Sequence, residues 1–122
     1  MIRSIFLAAS LTVGLVGIAH ADGDPAKGEK VFARCKACHN ADSDQNKIGP
    51  HLSGVVGRKA GSVADFDYSD AMKNSGLTWD EATLTKYLKD PKGVVPNNKM
   101  AFTGLKKDDE IANVIAYLKT KS

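Results

Sequence analysis

The chain has 122 residues, 43% of them hydrophobic and 25% charged, with a formal net charge of +3 at pH 7. That length suits one small domain, and 17 basic against 14 acidic side chains leave no strongly cationic surface of the kind a polyanion binder needs. There is no internal repeat, low-complexity tract or nucleic-acid motif, and the only cysteines are Cys35 and Cys38.

In chain order, residues 1–21 read as a signal peptide. Arg3 gives a short positive start, an apolar run extends from Ile5 to Ile18, and Ala19-His20-Ala21 supplies the small-x-small pattern that precedes cleavage. The run is shorter than the roughly 20 residues a spanning helix needs, so no permanent anchor is expected. Residues 22–122 then form the mature domain, exported to a periplasm and not integral to the membrane. So small a domain has a thin apolar core unless a bound group supplies its centre.

The first helix opens at Asp24, a good N-cap, with Pro25 at the first helical position. Gly28, Val31 and Phe32 line one face on the way to Cys35. Cys35-Lys36-Ala37-Cys38-His39 follows, the spacing of covalent c-type haem attachment. Two thiols three residues apart lie on nearly one side of a helical turn, where both can add to the vinyl groups along one porphyrin edge. His39 then sits under the iron as proximal ligand, its other ring nitrogen free for an acceptor. A thioredoxin-type CxxC expects a strand before it, whereas Lys30-Val31-Phe32-Ala33-Arg34 continues a helix. A disulfide across two residues closes too short a loop to contribute much.

Roughly forty residues rich in Gly, Ser and Asp come next, and so long a loop fits a small domain only where it wraps something, as a haem would be wrapped. At most one short helix, around Ser69 to Lys73, is expected within it. Thr78-Trp79-Asp80-Glu81 fits a capping box that opens a helix through Leu84, Tyr87 and Leu88, ended near Asp90-Pro91. The last helix places Ile111, Val114, Ile115 and Leu118 on one face. Asp108, Asp109 and Glu110 favour its N-terminal dipole, and Lys119 and Lys121 its C-terminal end. Strand signals are weak throughout, so the fold class is all-α, with helices and long loops around one covalent haem.

Three residues can compete for the second axial position. Met100 lies in the polar loop Pro96-Asn97-Asn98-Lys99-Met100-Ala101-Phe102, where an apolar side chain needs a reason to point inward, and iron is that reason. Met72, in the short helix, reads as a flexible core filler. His51 reads as a solvated loop residue.

Taken with Gly49-Pro50-His51-Leu52, Gly57-Arg58-Lys59-Ala60-Gly61, Tyr68-Ser69-Asp70-Ala71, Leu77-Thr78-Trp79, Tyr87-Leu88 with Pro91, and Lys99-Met100-Ala101-Phe102, these residues make the mature chain resemble class I cytochromes c. It is most similar to the cytochrome c2 group of alphaproteobacteria. The resemblance spans residues 22–122 and implies one haem c, held by Cys35 and Cys38 and ligated by His39 and Met100. It implies that the Pro50 carbonyl accepts from the His39 ring, and that Arg58, Tyr68 and Trp79 bind or compensate a buried propionate. Tyr87 would lie near the Met100 sulfur, and Gly28 and Phe32 would cross Val114 and Tyr117 where the end helices pack.

There are departures from the family pattern. Asn97-Asn98 stands where relatives often carry Gly-Thr; Asn97 tolerates a left-handed backbone, and the Asn98 amide becomes the expected propionate donor. Met72 stands where mitochondrial relatives carry an Asn.

The function so implied is that of a monomeric periplasmic one-electron carrier, not an enzyme. Its expected partners are redox proteins with acidic docking patches: a bc1 complex, a terminal oxidase, a reaction centre or a dehydrogenase. By family position Arg34, Lys47, Lys92, Lys99, Lys106 and Lys107 would ring the exposed haem edge and steer the encounter. Gly93, where relatives often place a Lys, and Asp108 to Glu110 weaken that ring. A haem enzyme or gas sensor with Met100 off the iron would want a distal His or Arg arrangement that the sequence does not display. A subunit dedicated to one dehydrogenase fits the same residues as a general shuttle.

Overall fold

The computed structural model describes residues 23–122; the signal peptide expected at 1–21 lies outside the described residues. Five helices follow in chain order: α1 (Pro25–Phe32), α2 (Asp70–Lys73), α3 (Glu81–Lys89), α4 (Pro91–Val94) and α5 (Asp108–Lys119). Among the described residues there is no named strand, only an isolated antiparallel bridge between Lys59 and Thr78.

Helix α1 starts as its sequence predicts. The Asp24 carboxylate accepts from the N–H groups of Ala26 at 2.9 Å and Lys27 at 3.4 Å, and Pro25 occupies the first turn, where its missing N–H costs nothing. Regular helix ends at Phe32, earlier than the run to Cys35 suggests. Beyond it the chain winds through successive turns in which Cys35 N–H donates to Phe32 O at 2.7 Å and His39 N–H to Cys35 O at 2.9 Å.

Helices α1 and α5 cross closely because Gly28 has no side chain. A Cβ there would run into the Asn113 carbonyl oxygen and reach within 2.8 Å of Tyr117 Cβ. Phe32 completes the crossing, its ring centroid 5.3 Å from that of Tyr117. Asp24 N–H, at the start of α1, donates to Asn113 Oδ1 at 2.8 Å, which ties the two ends of the fold together. The buried face of α5 is Ile111, Val114, Ile115, Tyr117 and Leu118. Each such aliphatic side chain contributes about 1.5–3 kcal/mol of burial, which is the main reason the helix is held. Lys107 makes no side-chain cap at its N-terminus, and the acidic first turn of Asp108, Asp109 and Glu110 serves instead through the helix dipole.

Helix α3 is capped differently from the capping box read in the sequence. Asp80 is the N-cap, accepting from Thr83 N–H at 2.8 Å. Thr78 is unavailable because its backbone is engaged in the bridge to Lys59, flanked by Trp79 N–H to Arg58 O at 2.8 Å and Ala60 N–H to Leu77 O at 2.9 Å. The helix stops at Lys89 before Pro91, as expected, yet a further short helix begins at once. Asp90 closes α3 and caps α4, accepting from Gly93 N–H at 3.0 Å, with Pro91 in the first turn.

The first half of the long segment between α1 and α3 is pinned to Lys121, near the end of the chain, at two points. Gly54 N–H donates to Lys121 O at 2.6 Å, and Lys121 Nζ lies 2.7 Å from Asp42 Oδ1. Its interior contributes Ala41 and Val55 to the core shared with Trp79, Leu84, Tyr87, Val95 and Leu105. No helix among the described residues is long and apolar enough to cross a membrane.

Candidate functional site

The turns after α1 present Cys35 and Cys38 as free thiols, both half-buried. Burial pushes the Cys35 thiol above its usual pKa, and the positive charge of Arg34 opposes that only partly. The chain has no third cysteine to compete with either for a partner.

His39 is fixed from two sides. Its Nδ1 lies 2.7 Å from the Pro50 carbonyl oxygen, an acceptor only, so Nδ1 carries the proton and the Nε2 lone pair is left free. Gly49 packs flat on the ring: a Cβ there would collide with Cε1 and come within 2.7 Å of Nδ1. Burial lowers the His39 pKa, the Pro50 bond works against this, and the charges of Arg58 and Lys47 push it further down. The result is a neutral, oriented imidazole, the form a metal ligand requires.

The loop after α4 turns Met100 toward the core, where it is partly buried. Asn97 takes φ of 65°, the left-handed backbone that glycine or asparagine can adopt. The Tyr87 hydroxyl donates to Met100 Sδ at 3.9 Å, and desolvation raises the Tyr87 pKa to about 12, so the phenol stays a donor. Tyr87 is itself seated by Trp79, with ring centroids 4.7 Å apart.

Asn98 does not do what the sequence reading assigned to it. Its Nδ2 donates to Pro91 O at 3.1 Å and to Val95 O at 2.8 Å, which commits both amide hydrogens. Its Oδ1 accepts from Met100 N–H at 3.0 Å. The side chain is a buried brace for the Met100 loop, with no donor left for a propionate. His51 is also unlike the solvated residue expected. Its side chain is only 14% exposed, and its Nδ1 is buried without a hydrogen-bond partner, 3.8 Å from Asp44 Oδ1.

Arg58 is half-buried, with Nη2 donating to His51 O at 3.0 Å and Nη1 to Ser53 O at 3.3 Å, while its Nε is buried and has no partner. A buried guanidinium with an orphaned N–H calls for an anion. The Tyr68 hydroxyl accepts from Val63 N–H at 3.1 Å, which leaves its own hydrogen free to donate. Trp79 and Tyr68 are both buried. The residues therefore fit a haem: two thiols and an oriented imidazole on one chain segment, a partly buried thioether on a separate loop, and a half-buried cation with an orphaned N–H suited to a propionate.

The expected docking residues divide into two groups. Arg34 pairs with Glu110 at 2.9 Å, Lys99 approaches Asp67 at 4.0 Å, and Lys47 Nζ donates to Lys36 O at 2.6 Å. Lys92, Lys106 and Lys107 are exposed with no partner among the described residues. Sequence reasoning named Gly49 only within the motif Gly49-Pro50-His51-Leu52 and gave it no role of its own. It also overlooked Asn46, whose Oδ1 accepts from His51 N–H at 2.9 Å and whose Nδ2 donates to Asp65 Oδ1 at 3.0 Å.

Comparison with known proteins bears on the same residues. A profile of the family described as Cytochrome c matches residues 25–122. The chain is 59% identical over 104 residues to cytochrome c2 of Rhodomicrobium vannielii, covering 84% of this chain and 83% of the relative. It is 58% identical over 100 residues to cytochrome c2 iso-2 of Magnetospirillum fulvum, covering 82% of this chain and 99% of the relative. Among solved structures, cytochrome cH from Methylobacterium extorquens superposes with a TM-score of 0.78 at 54% identity, over 81% of this chain and 100% of that one.

Proposed function

Because the chain belongs to the cytochrome c family, close to the cytochromes c2, and carries one covalently bound haem c, we propose that it is a periplasmic one-electron carrier with His39 and Met100 as the axial ligands. The haem supplies a metal centre that gains and loses one electron. Cys35 and Cys38 anchor it as thioethers through one short segment, so loss of the group is not a competing process. His39 offers Nε2 while Pro50 and Gly49 fix its ring, and a ligand that need not reorient on electron gain lowers the cost of transfer.

The observation that carries this reading is the Met100 thioether held under the Tyr87 hydroxyl at 3.9 Å, in a loop that is otherwise polar. A thioether favours the ferrous state relative to a second imidazole, which gives a relatively high potential. With His39 and Met100 on the two faces, no coordination position remains for a substrate, so electron transfer is the job left and not catalysis. Arg58 and Tyr68 offer an N–H and an O–H to a buried propionate, and Trp79 walls the same side.

Docking then uses the exposed edge. Lys92, Lys106 and Lys107, with Lys47, Lys99 and Arg34, attract carboxylates on partners such as a bc1 complex, a terminal oxidase, a reaction centre or a dehydrogenase, in short-lived, salt-sensitive complexes. Residues 1–21 act as the cleaved export signal, 22–122 as the working monomer.

The ferric holoprotein is expected to show the weak near-infrared sulfur-to-iron band. Met100→Ala abolishes it with haem still attached, and Met72→Ala leaves it in place. Loss of the band in Met72→Ala but not in Met100→Ala overturns the ligand assignment. N-terminal sequencing of exported protein is expected to begin at Asp22.

A further inference from the structure

We propose that Ile48 is the apolar contact through which this chain seats on a redox partner whose docking face is an apolar patch bordered by carboxylates. The proposal rests on the electron-carrier reading above. Ile48 is 78% exposed, the one large hydrophobic side chain left open among the described residues. Its setting is what gives that exposure meaning.

Ile48 stands at the tip of a turn tied to the haem-attachment segment at several points. Lys47 N–H donates to Gly49 O at 3.0 Å, and Gly49 N–H donates to Cys38 O at 2.7 Å. Lys47 Nζ donates to Lys36 O at 2.6 Å. Gly49 rests on the His39 ring, and Pro50 O takes the Nδ1 proton at 2.7 Å. The side chain is therefore held out rigidly, one residue from backbone that touches His39, so little conformational freedom is lost when a partner covers it.

The charge around the turn selects the partner. Lys36 and Lys47 are exposed beside it. Of the nearest carboxylates in sequence, Asp42 is paired with Lys121 at 2.7 Å, and Asp44 lies exposed, 3.8 Å from His51 Nδ1, so the two lysines outnumber the one carboxylate left open. An apolar knob flanked by two ammonium groups matches an interface with an apolar centre and an acidic rim. A second copy of this chain would bring the same lysines face to face and be repelled. Seating Ile48 in that centre brings the partner against the turn whose Gly49 and Pro50 touch His39.

The test compares holoprotein and Ile48→Ser for electron exchange with purified bc1 complex and, as a control, with hexacyanoferrate. The second-order rate with bc1 complex is expected to fall about fivefold in the variant, because one buried aliphatic contact is lost. The factor persists when ionic strength is raised several-fold, since salt screens the lysines and not the apolar contact. Ile48→Leu restores the rate, and all three proteins react alike with hexacyanoferrate. An unchanged rate in Ile48→Ser, or a deficit that vanishes at high salt, overturns the proposal. So does a wild-type dimer in sedimentation that Ile48→Ser dissolves, which would make a second copy the occupant. Wild-type protein that reacts with hexacyanoferrate but is inert toward bc1 complex defeats the carrier reading for that partner directly, an outcome separable from any effect of the substitution.

Discussion

Removing the Asn98 side chain should both soften the fold and loosen Met100. Asn98→Ala deletes three hydrogen bonds at once: to Pro91 O at 3.1 Å, to Val95 O at 2.8 Å, and from Met100 N–H at 3.0 Å. The two carbonyls keep one backbone donor each, Val95 N–H at 2.9 Å on Pro91 O and Asn98 N–H at 3.2 Å on Val95 O. The Met100 N–H keeps no partner among the described residues. At about 1 kcal/mol net for each lost bond, and more where a buried donor is orphaned, the cost is about 3 kcal/mol. For a domain of this size that lowers the melting temperature by roughly 15 °C. Denaturant unfolding of the holoprotein measures the first effect, and intensity of the near-infrared sulfur band in the ferric protein measures the second. Asn98→Thr returns an acceptor for Met100 N–H and should recover part of the loss. Asn98→Asp keeps that acceptor but sets a carboxylate against two carbonyl oxygens, so it should be no better than Ala. Stability of Asn98→Ala within about 0.5 kcal/mol of wild type, the range of a neutral surface change, would refute this reading of the loop.

Gly28→Ala drives a methyl group into the Asn113 carbonyl, backbone that cannot step aside, and should cost about 2–3 kcal/mol by forcing α1 from α5; a thermal melt matching wild type would contradict the crossing described. Tyr87 bears on alkaline stability. Its folded pKa is raised from 10.0 to about 12, so its contribution is fully present below pH 10 and is lost as pH climbs toward 12, where the unfolded chain ionises and the folded one does not. The two-unit window corresponds to about 2–3 kcal/mol. Tyr87→Phe should therefore lose less stability than wild type between pH 9 and pH 12, and parallel denaturant midpoints across that range would count against a buried phenol.

Much of this was readable from local chemistry. Asp24 with Pro25, and the face of Ile111, Val114, Ile115 and Leu118, are short-range signals, and each stands where it was expected; the spacing of Cys35, Cys38 and His39 is as short-range a signal, pointing to the haem of the family. What failed depended on side-chain and backbone pairings that the local pattern leaves open. Thr78 looks like an N-cap until Lys59 claims its backbone, and Asp80 takes over. Asp90-Pro91 ends one helix by a rule that equally starts another, so α4 was hidden behind the stop of α3. Asn98 was matched to a propionate by family position, whereas Pro91 and Val95 lie close enough to use both its hydrogens. Gly49 carried no signal of its own, because only the folded ring of His39 shows what a Cβ would strike.

The contact between Asp24 N–H and Asn113 Oδ1 joins residues 89 positions apart, and the helices that begin and end the described chain pack on each other at the same place. Closing so large a loop costs entropy before any burial repays it. A chain emerging from the ribosome N-terminus first has α1 in solution, eight residues long and too short to persist alone, until nearly everything else has been made. The last helix thus acts as a latch on timing: until it has arrived α1 has nothing to pack on, which suits a chain proposed to cross a membrane before it folds.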